Sequence, residues 1–204
     1  LGRILSHVED IDDLYLSLVT EWPDAEGMVV GGFVPSTLLG SRGNWPSLAD
    51  PVSRMMALDG MTYMPDDILV KVDRAAMGVS LETRAPFLDR DVMEFAWRLP
   101  MHMKLRNGKG KWILRQLLDR HVPRALIERP KMGFSIPLDE WLRGPLKEWA
   151  GALLSEDRLR REGYLRPEPI TRTWQAHIRG EGSFGSRLWS VLMFQAWLAE
   201  QRIG

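Results

Sequence analysis

Apolar residues recur at helical spacing along most of this chain, and this periodicity constrains its fold more than any other feature. One such stripe runs from residue 11 to residue 19, and residues 186–201 are apolar on nearly every side. A stripe with a period of 3.6 residues predicts a helix that packs one face on a core, and a helix that is apolar all round is typically buried. Residues 27–34 are compatible with one short strand, but no segment alternates as the strands of an independent sheet do. We therefore expect a mainly α fold.

Prolines, glycines and acidic residues divide this pattern into separate helices. Asp50 stands before Pro51, which predicts a capped helix start at that point. Asp89 is expected to cap a second helix over residues 90–99, and residues 23–47 are expected to be irregular. The remaining helices are expected at residues 66–79, 111–122 (with Ile113, Leu114, Leu117 and Leu118 facing inward), 138–154, 155–162, 167–179 and 186–201.

Composition and spacing disfavour several classes of function. The chain contains no cysteine, so disulfides, cysteine-based zinc sites and cysteine nucleophiles are excluded. Lys plus Arg equals Asp plus Glu at 27 each, so the basic excess of a duplex-binding domain is missing and no nucleic-acid partner is expected. The 4 histidines have no metal-ligand spacing, so we expect no metal site within this chain. No membrane-length apolar run or signal-peptide core is present, which favours a cytoplasmic protein without a membrane partner.

Two charged clusters are candidates for a functional site. Asp67 and Lys71 stand four residues apart on a predicted helix, where they can form an ion pair; a solvated helix face is the competing interpretation. Glu82, Arg84 and Asp89 lie on a connector that is expected to be extended because a proline follows Ala85 in its middle. The connector has either a purely structural role or a functional one, since loops often carry binding residues.

Lys131 is the third candidate, because it lies on the stretch least compatible with a helix, residues 128–142. Pro130 fixes one backbone angle before it, and Gly133 permits close backbone approach after it. Phe134 is a candidate apolar anchor. A lysine held in this way directs its ammonium at a phosphate with little entropic cost, whereas an isolated lysine is ordinarily a surface residue.

Four longer segments stand in an informative order along the chain. They read YMPDDILVKVDRAAMGVSLETRAPFLDRDVMEFAWRLP, GKGKWILRQLL, VPRALIERPKMGFSIPLDEWLRGPLKEW and RLWSVLMFQAWL. Together they resemble the C-terminal part of the synthetase domain of glutamine-hydrolysing asparagine synthetase, closely over residues 63–198 and weakly over residues 1–62. The resemblance implies the helical C-terminal portion of an α/β ATP-pyrophosphatase domain, a fold also described as adenine nucleotide alpha hydrolase-like.

The same resemblance implies a reaction and a role for each candidate residue. The enzymes are ATP-dependent ligases that adenylate the side-chain carboxylate of aspartate and transfer glutamine-derived ammonia to it, giving asparagine, AMP and pyrophosphate. Lys131 is then catalytic and faces the departing pyrophosphate, while Asp67 and Lys71 bind substrate beside the aspartate site. Residues expected to support the site are Glu82, Arg84, Asp89, Gly133 and Phe134.

This sequence also departs from the family pattern. The SGG-x-D-S pyrophosphate loop and the acidic S-G-x-G-x-D-E stretch are missing, and a glutaminase would need a cysteine. We therefore expect residues 1–204 to be a C-terminal segment that is inactive alone, with the rest of the parent chain as its partner and most ligands of ATP and Mg outside it. Without the parallel sheet of the whole domain, exposed apolar surface or self-association, such as a homodimer, is expected.

Two other interpretations stay open. One is an amidotransferase of the same kind that acts on another carboxylate, such as a sugar acid or a β-lactam precursor. The other is a non-catalytic helical interaction module that keeps the scaffold without the chemistry.

Overall fold

The structure is a computed structural model that describes residues 8–128 and 136–201. The chain divides into two compact units. We call them the terminal unit, formed by Leu1–Thr37 with Gly133–Gly204, and the middle unit, formed by Leu38–Met132. The helices in chain order are α1 (Ile11–Val19), α2 (Pro51–Met61), α3 (Val70–Met77), α4 (Arg90–Arg98), α5 (Met101–Lys104), α6 (Trp112–Leu118), α7 (Arg124–Ile127), α8 (Leu138–Arg143), α9 (Lys147–Leu153), α10 (Glu156–Glu162), α11 (Pro167–Ile178) and α12 (Gly185–Gln201).

Strands contribute little to the described part of the chain, so the expected mainly α fold is confirmed. Strands β1 (Leu105–Arg106) and β2 (Lys109–Gly110) pair antiparallel around a tight turn, with Leu105 opposite Gly110. The strand predicted at residues 27–34 is reduced to a single bridge in the terminal unit between Val29 and Leu165. No described helix is long and apolar enough to cross a membrane.

The terminal unit has a closed apolar core built on α12. Leu188 and Leu192 of that helix are fully buried, whereas Met193 and Trp197 on its other side are exposed, so the prediction of a buried final helix is confirmed for one face. Fully or almost fully buried partners in neighbouring elements are Leu142, Ala150, Leu154, Leu159 and Ile170.

Residues 138–154 form two helices, α8 and α9, where the sequence predicted one. Gly144 ends α8, and its N–H bonds back to the carbonyls of Glu140 and Trp141 at 2.9 and 3.2 Å. Pro145 follows and has no N–H to donate to a continuing helix. The break separates α8 (Leu138–Arg143) from α9 (Lys147–Leu153).

The helix starts in the middle unit lie at or close to the positions predicted from the sequence. Asp50 accepts a hydrogen bond from the N–H of Ser53 at 2.7 Å, and Pro51 is the first helical residue of α2. The helix predicted from residue 66 begins earlier, with a π-helical turn at Met64–Leu69, and then continues as α3.

Apolar side chains of the middle unit are mostly exposed. Among its described residues, Ala57 and Leu58 are the buried apolar ones. The prediction that Leu114, Leu117 and Leu118 face inward is wrong, because 38, 53 and 39% of their surfaces are exposed. Their stripe is helical, but the described part of the unit places no core against it. This exposure agrees with the exposed apolar surface expected from the sequence. Other exposed apolar side chains of the middle unit are Val52, Met56, Val70, Val72, Phe87, Phe95 and Trp97.

Candidate functional site

Asp67 and Lys71 form an exposed ion pair where the π-helical turn meets α3. Oδ1 of Asp67 lies 3.3 Å from Nζ of Lys71, and the two side chains are 49 and 64% exposed. Such an exposed pair contributes at most about 1 kcal/mol to stability, so its geometry does not require a structural role. π-Helical turns occur frequently at functional sites, because the widened turn redirects neighbouring side chains.

The connector residues Glu82, Arg84 and Asp89 divide into two separate features. Nη2 of Arg84 lies 3.0 Å from Oε1 of Glu82, and both side chains are largely exposed. Asp89 is the N-cap of α4, and its Oδ1 accepts hydrogen bonds from the N–H groups of Asp91 and Val92 at 3.0 and 3.3 Å. Between them Ala85 is extended, as predicted. The cap fixes where α4 begins, which is a supporting role in physical terms.

Lys131, Gly133 and Phe134 lie outside the described residues, so their assigned roles stay predictions. The residues on either side of that segment are described. Glu128 precedes it in the middle unit, and Pro137 leads into α8 of the terminal unit. The described residues on each side of this segment form a polar cluster that was not predicted from the sequence.

A small charged cavity lies beside Glu128. Its volume is about 160 Å³, and its charged lining consists of three cations, Lys109, Arg115 and Arg124, and two carboxylates, Asp119 and Glu128. Nη2 of Arg124 is 2.6 Å from Oδ2 of Asp119, whereas Nζ of Lys109 is 3.9 Å from Oε1 of Glu128. The lining therefore carries one positive charge in excess, which favours an anion over a cation.

A hydrogen-bonded cluster holds α8 at the other end of the segment. We call it the α8 anchor; its members are Asp139, Arg143, His177, Ser183 and Gly185. Oδ1 of Asp139 accepts from the N–H of Gly185 at 2.8 Å, and Oδ2 accepts from the hydroxyl of Ser183. Arg143 donates through Nε to the carbonyl of His177 at 2.9 Å and through Nη2 to the carbonyl of Gly182 at 2.8 Å.

The surroundings in the α8 anchor lower the pKa of both Asp139 and His177. Partial burial opposes ionisation of Asp139, but the hydrogen bonds from Ser183 and Gly185 and the charges nearby outweigh it and hold its pKa below the ordinary value. Burial lowers the pKa of His177, and the neighbouring Arg143 guanidinium lowers it further. The imidazole is completely buried, neither nitrogen has a hydrogen-bond partner in the described structure, and Nδ1 lies 3.6 Å from Oδ1 of Asp139.

No group of three or more His, Asp or Glu side chains in residues 8–128 and 136–201 is arranged to hold a metal ion. The described residues therefore do not form a metal site made of three or more protein side chains of these types.

Comparison with known proteins finds relatives that are named asparagine synthetases. A Mycobacterium tuberculosis H37Rv protein, provisionally named a glutamine-hydrolysing asparagine synthetase, is 40% identical over 152 residues, which is 74% of this chain and 23% of that protein. Asparagine synthetase 1 (glutamine-hydrolysing) of Bacillus subtilis 168 is 32% identical over 146 residues, or 72% of this chain and again 23% of the relative. The chain thus spans about a quarter of the length of these relatives.

A more distant relative has a different name. Carboxyethyl-arginine beta-lactam-synthase of Streptomyces clavuligerus is 35% identical over 51 residues, which is 25% of this chain and 10% of that protein. No solved structure matched this chain.

The family model described as asparagine synthase matches residues 4–199. That match includes most of the first 62 residues, where the resemblance read from the sequence was weak. It also agrees with the fold, since the synthetase domain of this family is ATP-pyrophosphatase-like and its portion here is mainly helical. The chain belongs to the asparagine synthase family.

Proposed function

We propose that the parent of this chain is an ATP-dependent, glutamine-using asparagine synthetase that works in the cytoplasm. The observation that carries this proposal is the family match over residues 4–199, which covers nearly the whole chain. The names of two relatives at 32 and 40% identity support asparagine as the product.

The proposed reaction has two steps. The side-chain carboxylate of aspartate attacks the α-phosphorus of ATP, and the bond to pyrophosphate breaks. Ammonia, released from glutamine elsewhere in the parent chain, then attacks the activated carbonyl carbon. AMP leaves with the former carboxylate oxygen, and asparagine forms with loss of a proton.

Lys131 is the proposed catalytic residue of the first step. Negative charge grows on the leaving pyrophosphate, and a fixed ammonium stabilises that charge most strongly in the transition state. The excess positive charge around the cavity beside Glu128 supports an anionic ligand near the start of this segment. We also propose that Asp67 and Lys71 bind the substrate aspartate. The carboxylate of Asp67 complements the ammonium group of the substrate, and the ammonium of Lys71 complements its carboxylates.

This chain alone is proposed to be inactive, because its sequence has no pyrophosphate loop and no nucleophilic cysteine. ATP, Mg and the glutaminase chemistry would be bound mainly by the rest of the parent polypeptide. Measuring the mass of the natural polypeptide tests this directly. A species much heavier than 23.4 kDa fits the proposal, whereas a natural species of 23.4 kDa favours a helical interaction module.

The decisive assay uses the full-length parent with ATP, Mg, aspartate and glutamine. We expect equimolar asparagine, AMP and pyrophosphate, and we expect Lys131→Ala to lower the rate by roughly 10²- to 10³-fold. Lys147→Ala is the matched control, because Lys147 is an exposed lysine at the start of α9 with no assigned role. Unchanged activity in Lys131→Ala would contradict the role of this lysine.

Another acceptor is the second candidate, and the β-lactam synthase relative supports it. The same assay distinguishes it when aspartate is replaced by other carboxylates. ATP-dependent amide formation with a different acid, but none with aspartate, would replace asparagine as the product while keeping the adenylating chemistry. No amide with any acid would favour the interaction module.

A further inference from the structure

We infer that the cavity beside Glu128 is a binding site for a phosphate-sized oxyanion, which Arg115 and Lys109 hold. All residues that line the cavity are described and belong to the middle unit. They come from β2, from α6 and α7, and from the residue that follows each of these two helices. The inference goes beyond the proposed function, since it depends neither on Lys131 nor on turnover by the parent chain.

Arg115 is the main reason to expect an anionic ligand. It is partly buried on α6, and its Nε donates to the carbonyl of Gly110 at 3.1 Å, which ties the guanidinium to the hairpin of β1 and β2. No carboxylate among the described residues forms an ion pair with this guanidinium. Nη1 and Nη2 therefore keep N–H donors available, in the planar fork geometry that matches two oxygens of one oxyanion.

The other charges of the lining form one tight pair and one loose pair. Nε and Nη2 of Arg124 lie 2.7 and 2.6 Å from Oδ2 of Asp119, so these two charges neutralise each other. Nζ of Lys109 is 3.9 Å from Oε1 of Glu128, which is too long for a hydrogen bond, and 69 and 52% of the two side chains are exposed. An exposed, loose pair contributes little to stability, so Lys109 can turn toward a ligand. Arg115 and Lys109 thus face only one loosely held carboxylate.

The size and the chemistry of the cavity favour a small ion such as phosphate. Its volume of about 160 Å³ is well below the roughly 300–1,000 Å³ of sites for drug-sized ligands, so a whole nucleotide is not expected to fit. Arginine binds phosphate through paired hydrogen bonds, and lysine binds it as a point charge. Trp112 supplies an aromatic wall, and the guanidinium carbon of Arg106 lies 4.9 Å from the centre of its ring, which adds positive charge next to this wall.

Isothermal titration calorimetry of the chain with inorganic phosphate tests this inference. We expect saturable binding of one phosphate per chain, and we expect sulfate to compete for the same site. Arg115→Gln should weaken phosphate binding by at least about tenfold, because it removes hydrogen bonds from a charged donor. Arg120→Gln is the matched control and should change the affinity by less than about twofold, because Arg120 is an exposed arginine just after α6 that does not line the cavity.

Glu128→Gln should have the opposite effect. It removes the carboxylate that competes with the ligand for Lys109, so it should tighten phosphate binding by roughly threefold. Thermal melting of each variant shows whether it is folded at the titration temperature. If Arg115→Gln is unfolded, Lys109→Gln replaces it and should weaken phosphate binding by roughly threefold or more.

A parallel titration with ATP distinguishes a site for the free ion from one for the phosphate chain of a nucleotide. Phosphate that binds at least as tightly as ATP supports the inference, whereas ATP binding that is lost in Arg115→Gln, without phosphate binding, overturns it. The absence of saturable phosphate binding overturns it too, and so do equal losses in Arg115→Gln and Arg120→Gln. The proposed function is tested separately by turnover in the parent, so the two can fail independently.

Discussion

Replacing Leu192 by alanine should unfold the terminal unit far more easily than replacing its neighbour Met193. Leu192 is completely buried near the middle of α12, whereas Met193 is 39% exposed on the other side of the same helix. Leu192→Ala removes three carbon atoms from the core, which costs about 2.4 kcal/mol at about 0.8 kcal/mol each. The cavity left behind raises the total to roughly 3–4 kcal/mol. Met193→Ala creates no closed cavity and should cost less than about 1 kcal/mol.

Urea unfolding of both variants, followed by tryptophan fluorescence, measures this difference. Trp174 and Trp189 lie in or against the core of the terminal unit and report on its opening. Hydrogen exchange in peptides from residues 185–201 confirms that the loss belongs to α12 and not to the middle unit. Equal losses in the two variants, or a larger loss for Met193→Ala, would refute the assignment of the buried face of α12.

Three further predictions address charge, capping and association. Lowering the pH from 8 to 5 should reduce the free energy of unfolding of the terminal unit, because the pKa of His177 is lower in the folded chain than in the unfolded chain and the unfolded chain therefore takes up the proton first. Each unit of difference between the two pKa values is worth about 1.4 kcal/mol. Urea titrations at the two pH values measure this dependence, and His177→Gln should weaken it. Asp89→Ala should cost about 1 kcal/mol and speed hydrogen exchange in α4, since two N–H groups lose their acceptor. The chain alone should associate as its concentration rises, and replacing Leu114 and Leu117 by glutamate should reduce that association in light scattering.

Local chemistry made two helix caps predictable from the sequence. Asp50 and Asp89 cap the helices that they were expected to cap, because an aspartate before a helix has few alternative uses for its carboxylate. The break after α8 was missed, although Gly144 and Pro145 mark it. The apolar stripe on either side of them continues with helical spacing, and periodicity alone does not show where one helix ends and the next begins.

Contacts between residues distant in the sequence were not predictable in this way. Asp139 and Gly185 are 46 residues apart, and neither shows by its type or spacing that one caps the helix begun by the other. Asp139 was read only as part of a helix, since an acidic residue in a first helical turn is favourable without any partner. The α8 anchor depends on the packing of α8 against α11 and α12, which the sequence pattern does not specify.

The two units show what periodicity does and does not determine. The stripe of α6 and that of α12 are equally helical, yet Leu192 is fully buried and Leu117 is 53% exposed. An apolar stripe in the sequence indicates that a helix has an apolar face. It does not predict which element packs against that face. In the terminal unit the covering elements are α8 to α11, whereas in the described part of the middle unit Leu114, Leu117 and Leu118 of α6 remain exposed. The chain spans about a quarter of its relatives' length, and we propose that the exposed leucines of α6 contact another part of the proposed parent polypeptide. Slower hydrogen exchange in α6 of the parent than in the isolated chain would support this contact, and equal exchange would contradict it.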